Sequence, residues 1–137
     1  MKIMIQWGGF YAYKGESGVF RVFRLLDLNA DAYHAQLFKE EFDSMPSIDE
    51  VKVLVPYIWH VPMATTGLLN NNELTLIGYE PLDERSLQGY EEFMRQMERP
   101  EDAIKEMIDR LIDFSHAEPM SLMFENTEEG LVITPED

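Results

Sequence analysis

Residues 100–134, PEDAIKEMIDRLIDFSHAEPMSLMFENTEEGLVIT, carry the clearest structural pattern in the chain. Apolar residues recur in the first half of this stretch at intervals of three and four, which predicts an amphipathic helix. They are Ile104, Met107, Ile108, Leu111 and Ile112. Pro100 suits the start of this helix, because a first-turn residue needs no amide donor, and Pro119 ends it.

The second half of the same stretch predicts a pair of strands. Met120 to Glu125 and Leu131 to Thr134 are rich in apolar residues and flank a polar turn at Asn126 to Gly130. Two such runs around a turn are typical of a β-hairpin. A helix followed by paired strands, rather than by a single strand, favours an α+β fold over alternating βαβ units.

The stretch before residue 100 contains further strand and helix signals. Leu74 to Tyr79 alternates in polarity and predicts a strand, and Asp83 opens a second amphipathic helix that runs to about Met97. Tyr57 to Val61 lies between two prolines, so it can form only an edge strand or an extended segment, because proline lacks an amide donor. Residues 67–72 contain three consecutive asparagines and predict a turn or loop.

Two helices are predicted between residues 29 and 55. Asn29 or Asp31 can cap a helix that runs to about Phe42. Its two apolar rows have helical spacing and consist of Ala30, Tyr33 and Leu37, and of His34, Phe38 and Phe42. Ser47 and Glu50 have the spacing of a capping box and predict a short helix to about Val55. The valines at 51, 53 and 55 leave a strand as the alternative.

The N-terminal part predicts a hairpin. Ile3 to Trp7 and Val19 to Leu28 have strand character, and the glycine-rich stretch around Tyr11 and Tyr13 between them predicts a long aromatic loop. The whole pattern predicts a single domain over residues 1–137. Its class is α+β, with a largely antiparallel sheet and three to four helices packed on it.

The chain is strongly acidic, with a formal net charge of −15 on 137 residues. Residues 1–68 hold 8 acidic and 6 basic residues, whereas residues 69–137 hold 18 acidic and 5 basic residues. The excess of carboxylates therefore lies almost entirely in the C-terminal half. This charge argues against direct binding to nucleic acid or to anionic lipid, which both need clustered Lys and Arg.

The composition also argues against several kinds of functional site, against a membrane helix and against a secretory signal. The absence of cysteine removes disulfides, thiolate metal sites and cysteine nucleophiles, and it fits a cytoplasmic protein. No stretch reaches the roughly 18 apolar residues of a membrane helix, and Met1 to Trp7 lacks the apolar region of a secretory signal. No histidine has the spacing of a metal signature, and no calcium-loop pattern occurs, so we expect no metal and no cofactor.

The predicted C-terminal helices carry a candidate partner-binding surface. On the second of them, carboxylates recur at intervals of 4, 3 and 4 residues, which places them on one helical face. With two acids of the preceding helix, the set is Glu91, Glu92, Asp102, Glu106, Asp109 and Asp113. Such acids on a solvated face lack the burial that raises a catalytic pKa, so we assign no catalytic residue and do not expect an enzyme. Solubility alone is the alternative explanation of this charge.

Three functions remain open. In size and charge the chain is similar to small acidic cytoplasmic proteins that neutralise a basic toxin or nuclease, although these share no motif. The first hypothesis is therefore an immunity- or inhibitor-type protein that docks a basic partner. The second is a nucleic-acid mimic that competes for a DNA- or RNA-binding protein. The third is a small-ligand-binding or hydrolytic domain whose pocket involves Tyr11, Tyr13, Trp59 and His60.

Overall fold

The computed structural model describes residues 1–69 and 74–136, and it has an α+β fold, as predicted. The strands are β1 (Lys2–Ile5), β2 (Gly9–Lys14), β3 (Phe20–Leu28), β4 (Ala32–Leu37), β5 (Ile58–Ala64), β6 (Thr75–Tyr79), β7 (Met120–Thr127) and β8 (Gly130–Pro135). The helices are α1 (Ile48–Val51), α2 (Thr66–Leu69), α3 (Gln88–Gln96) and α4 (Glu101–Ser115). None of the helices in the described ranges is long and apolar enough to cross a membrane.

The strands form two antiparallel sheets. The larger sheet has the order β5-β4-β3-β2-β6, and the smaller sheet has the order β1-β7-β8. The smaller sheet packs on one face of the larger one, where Ile5 and Phe124 join Tyr11 and Phe23 in one apolar cluster. Helices α3 and α4 cover the opposite face through a second cluster that includes Leu26.

The helix predicted from residue 29 or 31 to residue 42 is wrong, because this segment forms β4. Tyr33 and Leu37 pack toward the smaller sheet, whereas His34 and Phe38 face the helical side. Residues four apart share a face in a helix, but they also share a face in a strand, whose period is two. His34 and Gln36 alternate with apolar residues over positions 33–37, and this alternation is the strand signal that the helical spacing obscured.

The long aromatic loop predicted around residues 11–18 is also wrong. Residues 9–14 form β2, which lies inside the larger sheet between β3 and β6. The turn to β3 spans only residues 15–19, and the hairpin partner of β3 is therefore β2 rather than β1. Gly8 permits the chain to enter β2, since its φ is +81° and a Cβ would lie 2.3 Å from the carbonyl oxygen of Glu80.

β1 pairs with β7, so the two ends of the chain meet in the smaller sheet. The predicted C-terminal hairpin is confirmed, with β7 and β8 joined at the turn before Gly130. The edge position predicted for residues 57–61 is confirmed as well, because β5 is an outer strand and accommodates Pro62. The strand predicted at residues 74–79 is confirmed as β6, the other edge.

The other predicted helices are confirmed, with changes in length. Ser47 caps α1 through a capping box with Glu50, but this helix ends at Val51 instead of residue 55. Residues 84–87 form turns, so α3 begins later than Asp83. α4 follows Pro100 as predicted and buries Ile104 and its apolar partners. The loop predicted at 67–72 is wrong at residues 67–69, which belong to α2, and residues 70–72 lie outside the described residues.

Candidate functional site

The outer face of α4 carries four carboxylates at the spacing that predicted a shared surface. All four are exposed, and they are Asp102, Glu106, Asp109 and Asp113. At 3.6 residues per turn, they lie opposite Ile104 and Leu111, which are buried against the rest of the fold. Burial of the apolar side of α4 thus fixes the carboxylates toward solvent.

These four carboxylates form no ion pair within the described ranges, 1–69 and 74–136. The salt bridges found there involve none of them, although Lys105 and Arg110 stand four residues from Asp109 and Glu106. Like charges at this helical spacing repel one another by roughly 0.2–0.5 kcal/mol per pair. The face is therefore a concentrated negative surface whose internal repulsion is not offset by ion pairs.

The acidic residues of α3 have a different environment, because Arg95 lies among them. Its guanidinium donates to Glu91 and, at 2.8 Å, to Glu101, and it lies 3.9 Å from Glu92. The hydrogen bond from Arg95 lowers the pKa of Glu101. Glu91 and Glu92 of the predicted set are therefore partly neutralised, unlike the carboxylates on the outer face of α4.

A cleft of about 420 Å³ between α3 and α4 continues this surface. Its charged lining residues are Glu84, Glu91, Glu101, Asp102 and Asp109, with Lys105 as the basic residue among them. The cleft brings together three residues of the predicted set from two helices. The other three, Glu92, Glu106 and Asp113, are not among the residues that line it.

The structure does not bring together the four residues of the alternative ligand site. Tyr11 is buried on the face toward the smaller sheet, where it stacks on Phe23 at 5.3 Å and donates to the Met4 carbonyl at 2.7 Å. Tyr13 packs on the same face. Trp59 and His60 of β5 lie on the opposite, helical side, and Arg85 is 5.9 Å from the Trp59 ring.

His60 instead contacts His34, a residue of the segment wrongly predicted to be a helix. Pairing of β4 with β5 brings His34 Nδ1 within 2.8 Å of His60 Nε2. Both rings stack on Tyr90 of α3, at 4.3 Å for His34 and 4.8 Å for His60. The pair therefore links two strands to the helix above them.

Asp27 extends this cluster below α3. Its carboxylate accepts hydrogen bonds from Tyr90 Oη at 2.8 Å and from Trp7 Nε1 at 3.4 Å. Burial, helped by the negative charge of Asp27, raises the pKa of Tyr90. The hydroxyl of Tyr90 thus remains a donor at neutral pH.

Burial also keeps the two histidines neutral. It lowers the pKa of His34, and burial together with the neighbouring His34 lowers the pKa of His60 to about 4. One neutral ring can then donate to the other. In the part of the chain that the structure describes, no group of three or more His, Cys, Asp or Glu side chains could hold a metal ion. The arrangement holds α3 on the sheet and can take up a proton at low pH.

No pattern in the sequence indicated that His34, Asp27 and Tyr90 form one cluster. The three residues are contributed by β4, β3 and α3, and only strand pairing makes them neighbours. A polar residue inside an apolar strand, as at Asp27, is the signal that could have drawn attention to it.

Comparison of the chain with protein-family models, with curated proteins and with solved structures found no match.

Proposed function

We propose that this chain is a protein-binding domain of the immunity or inhibitor type, which docks a basic protein through the surface of α3 and α4. The observation that carries the proposal is the outer face of α4. Four exposed carboxylates stand there with no ion pair in the described part of the chain, beside a cleft rich in further carboxylates.

The energetics of this surface favour a basic partner. Lys and Arg side chains brought against Asp102, Glu106 and Asp109 would remove the repulsion among these carboxylates. A concentrated field of one sign also steers an oppositely charged protein during diffusion, which raises the association rate more than the final affinity. In the proposed function, this fast docking covers the active site of a basic toxin or nuclease.

A charge-reversal experiment tests the surface. The partner is first captured from an extract of the source cells, and its association rate is then measured at several salt concentrations. Asp102→Lys, Glu106→Lys and Asp109→Lys together should slow association by about tenfold or more and flatten its dependence on salt. A matched control carries Glu125→Lys, Glu128→Lys and Glu129→Lys, which are exposed residues of the C-terminal hairpin region and change the net charge equally.

The control separates location from total charge. If both triple variants slow association equally, only the net charge matters and the α3–α4 surface is not the docking site. If neither changes association, the partner binds elsewhere. Displacement by duplex DNA of a captured partner that has no nuclease activity would indicate the nucleic-acid mimic instead, because the acidic face would then occupy a phosphate-binding site.

A further inference from the structure

A cleft of about 140 Å³ on the helical side of the larger sheet concentrates basic side chains in this acidic chain. Three of the 11 basic residues line it, namely Arg24, Lys52 and Arg85. Asp83 is the one carboxylate among the described residues that line it. Lys52 pairs with Asp49 at 2.9 Å, whereas Arg24 and Arg85 form no salt bridge among the residues that the structure describes. The positive charge that can meet a ligand is therefore that of two guanidinium groups.

The guanidinium of Arg24 is held in one orientation by its neighbours. Strand pairing sets Phe10 of β2 directly beside Arg24 of β3, and the guanidinium lies 5.0 Å from the centre of the Phe10 ring. Its Nε donates to the Gly8 carbonyl at 3.3 Å, and its Nη2 donates to the carbonyls of Glu80 and Pro81 at 2.9 and 3.3 Å. These contacts leave Nη1 of Arg24 without a hydrogen bond in the described part of the chain.

Arg85 belongs to a short turn that is itself fixed on the sheet. Asp83 Oδ1 accepts a hydrogen bond from the Ser86 amide at 2.7 Å, so the carboxylate is engaged within the turn. Gln36 Nε2 of β4 donates to the Ser86 carbonyl at 2.9 Å, which ties the turn to the sheet. The exposed guanidinium of Arg85 lies 5.9 Å from the Trp59 ring and makes no hydrogen bond to another described residue. Its donors are therefore open to a ligand.

The lining of the cleft favours a ligand with one ring and one carboxylate. Guanidinium donors match the planar geometry of carboxylate oxygens, and such charged hydrogen bonds are stronger than neutral ones. A cavity of about 150 Å³ is large enough for benzene, so the cleft has room for a single ring. The negative charges elsewhere in the chain weaken this attraction little, because salt screens them beyond about 8 Å at physiological ionic strength. The apolar walls for the ring are Phe10, Phe38, Leu54, Pro56 and Trp59.

We propose that this cleft binds a small aromatic carboxylate, whose oxygens accept hydrogen bonds from Arg24 Nη1 and from the guanidinium of Arg85. Trp59 is the one residue of the alternative ligand site that lines this cleft. The inference does not rest on the proposed function, because the cleft shares no lining residue with the acidic cleft between α3 and α4. Either site can therefore fail its test without the other.

Three probes test the cleft on the unmodified chain by titration calorimetry. Benzoate supplies the ring and the carboxylate, benzamide has the same ring without the charge, and acetate has the charge without the ring. Benzoate should bind about tenfold or more tightly than benzamide, the ratio expected for a charged hydrogen bond, and also more tightly than acetate. Equal affinity for benzoate and benzamide would overturn the role of the arginines. Equal affinity for benzoate and acetate would overturn the aromatic ligand, and no binding of benzoate would overturn the site.

A pair of exposed arginines locates the binding. Arg85→Gln should weaken benzoate binding by about tenfold, whereas Arg99→Gln removes the same charge from a residue that does not line the cleft and should leave binding unchanged. Because both side chains are exposed, both variants should unfold at the same urea concentration as the unmodified chain. Benzoate that binds Arg85→Gln as tightly as the unmodified chain, or that Arg99→Gln weakens equally, would show that it does not occupy this cleft.

Discussion

The two faces of the larger sheet are packed by different chemistry. Toward the smaller sheet, Tyr11, Phe23 and Tyr33 form a dry aromatic layer in which rings contact rings. Toward α3, beside the apolar cluster that includes Leu26, the sheet presents a polar face made of His34 and Asp27, which hold the helix through a hydrogen bond and stacking. Removing side-chain volume from the first face should therefore lower the free energy of unfolding. On the second face, protonation or a small increase in the distance between helix and sheet should lower it.

The largest effect is expected from a cavity in the aromatic layer. Phe23→Ala removes a ring that is 5% exposed and that packs on Tyr11 at 5.3 Å and on Tyr33 at 5.6 Å. The free energy of unfolding should fall by about 3–5 kcal/mol, as measured by urea denaturation. Phe20→Ala, a half-buried ring on the same strand, is the control and should cost less than half as much. Equal losses would mean that the layer is not tightly packed.

The polar face should make the free energy of unfolding depend on pH. His60 has a pKa of about 4 in the folded chain, against about 6.5 when exposed. Between these values the unfolded chain binds more protons than the folded one, so the free energy of unfolding falls as pH is lowered from about 6.5 to about 4. The shift would correspond to roughly 3 kcal/mol, and because His60 is only half-buried, screening by solvent reduces the expected loss to about 1–2 kcal/mol.

Two histidine variants isolate this contribution from the titration of the many carboxylates. His60→Gln should reduce the slope of unfolding free energy against pH in that range, whereas His116→Gln, at the exposed end of α4, should keep the slope of the unmodified chain. Urea denaturation at each pH gives both slopes. A slope that His60→Gln leaves unchanged would assign the pH dependence to other groups.

The contrast between the two faces also explains what the sequence could predict. α4, the capping box at Ser47 and the C-terminal hairpin depend on residues close in the chain, and all three predictions are confirmed. The exposed position of the α4 carboxylates follows from helical periodicity in the same way.

The wrong predictions concern segments whose structure depends on pairing with strands that are distant in sequence. The apolar residues around His34 have spacings that suit both a helix and a strand, and pairing of this segment with β3 and β5 selects the strand. The contact between His34 and His60, which are 26 residues apart, follows from that pairing and could not be predicted from the sequence. Pairing of β1 with β7 joins opposite ends of the chain, and no local pattern reports it.

The smallest effect is expected at the closest approach between α3 and β5. A Cβ on Gly89 would lie 3.0 Å from Trp59 Cβ, 3.1 Å from His60 Cβ and 3.1 Å from the carbonyl carbon of Trp59. These atoms belong to or adjoin the backbone of a paired strand, so they cannot move aside as the end of a flexible side chain can. Gly89→Ala gains about 0.5–1 kcal/mol in helix propensity, but overpacking costs about 1–3 kcal/mol.

Gly89→Ala should therefore lower the free energy of unfolding by about 1 kcal/mol, measured by urea denaturation. Gly67→Ala is the matched control, because Gly67 lies in α2 and a Cβ there would have no atom within 4 Å. This control should be neutral or stabilise by up to about 1 kcal/mol, since only the entropy of the unfolded chain changes. If both variants were equally stabilising, α3 would have room to move away from His60, and the polar face would be held less tightly than the aromatic one.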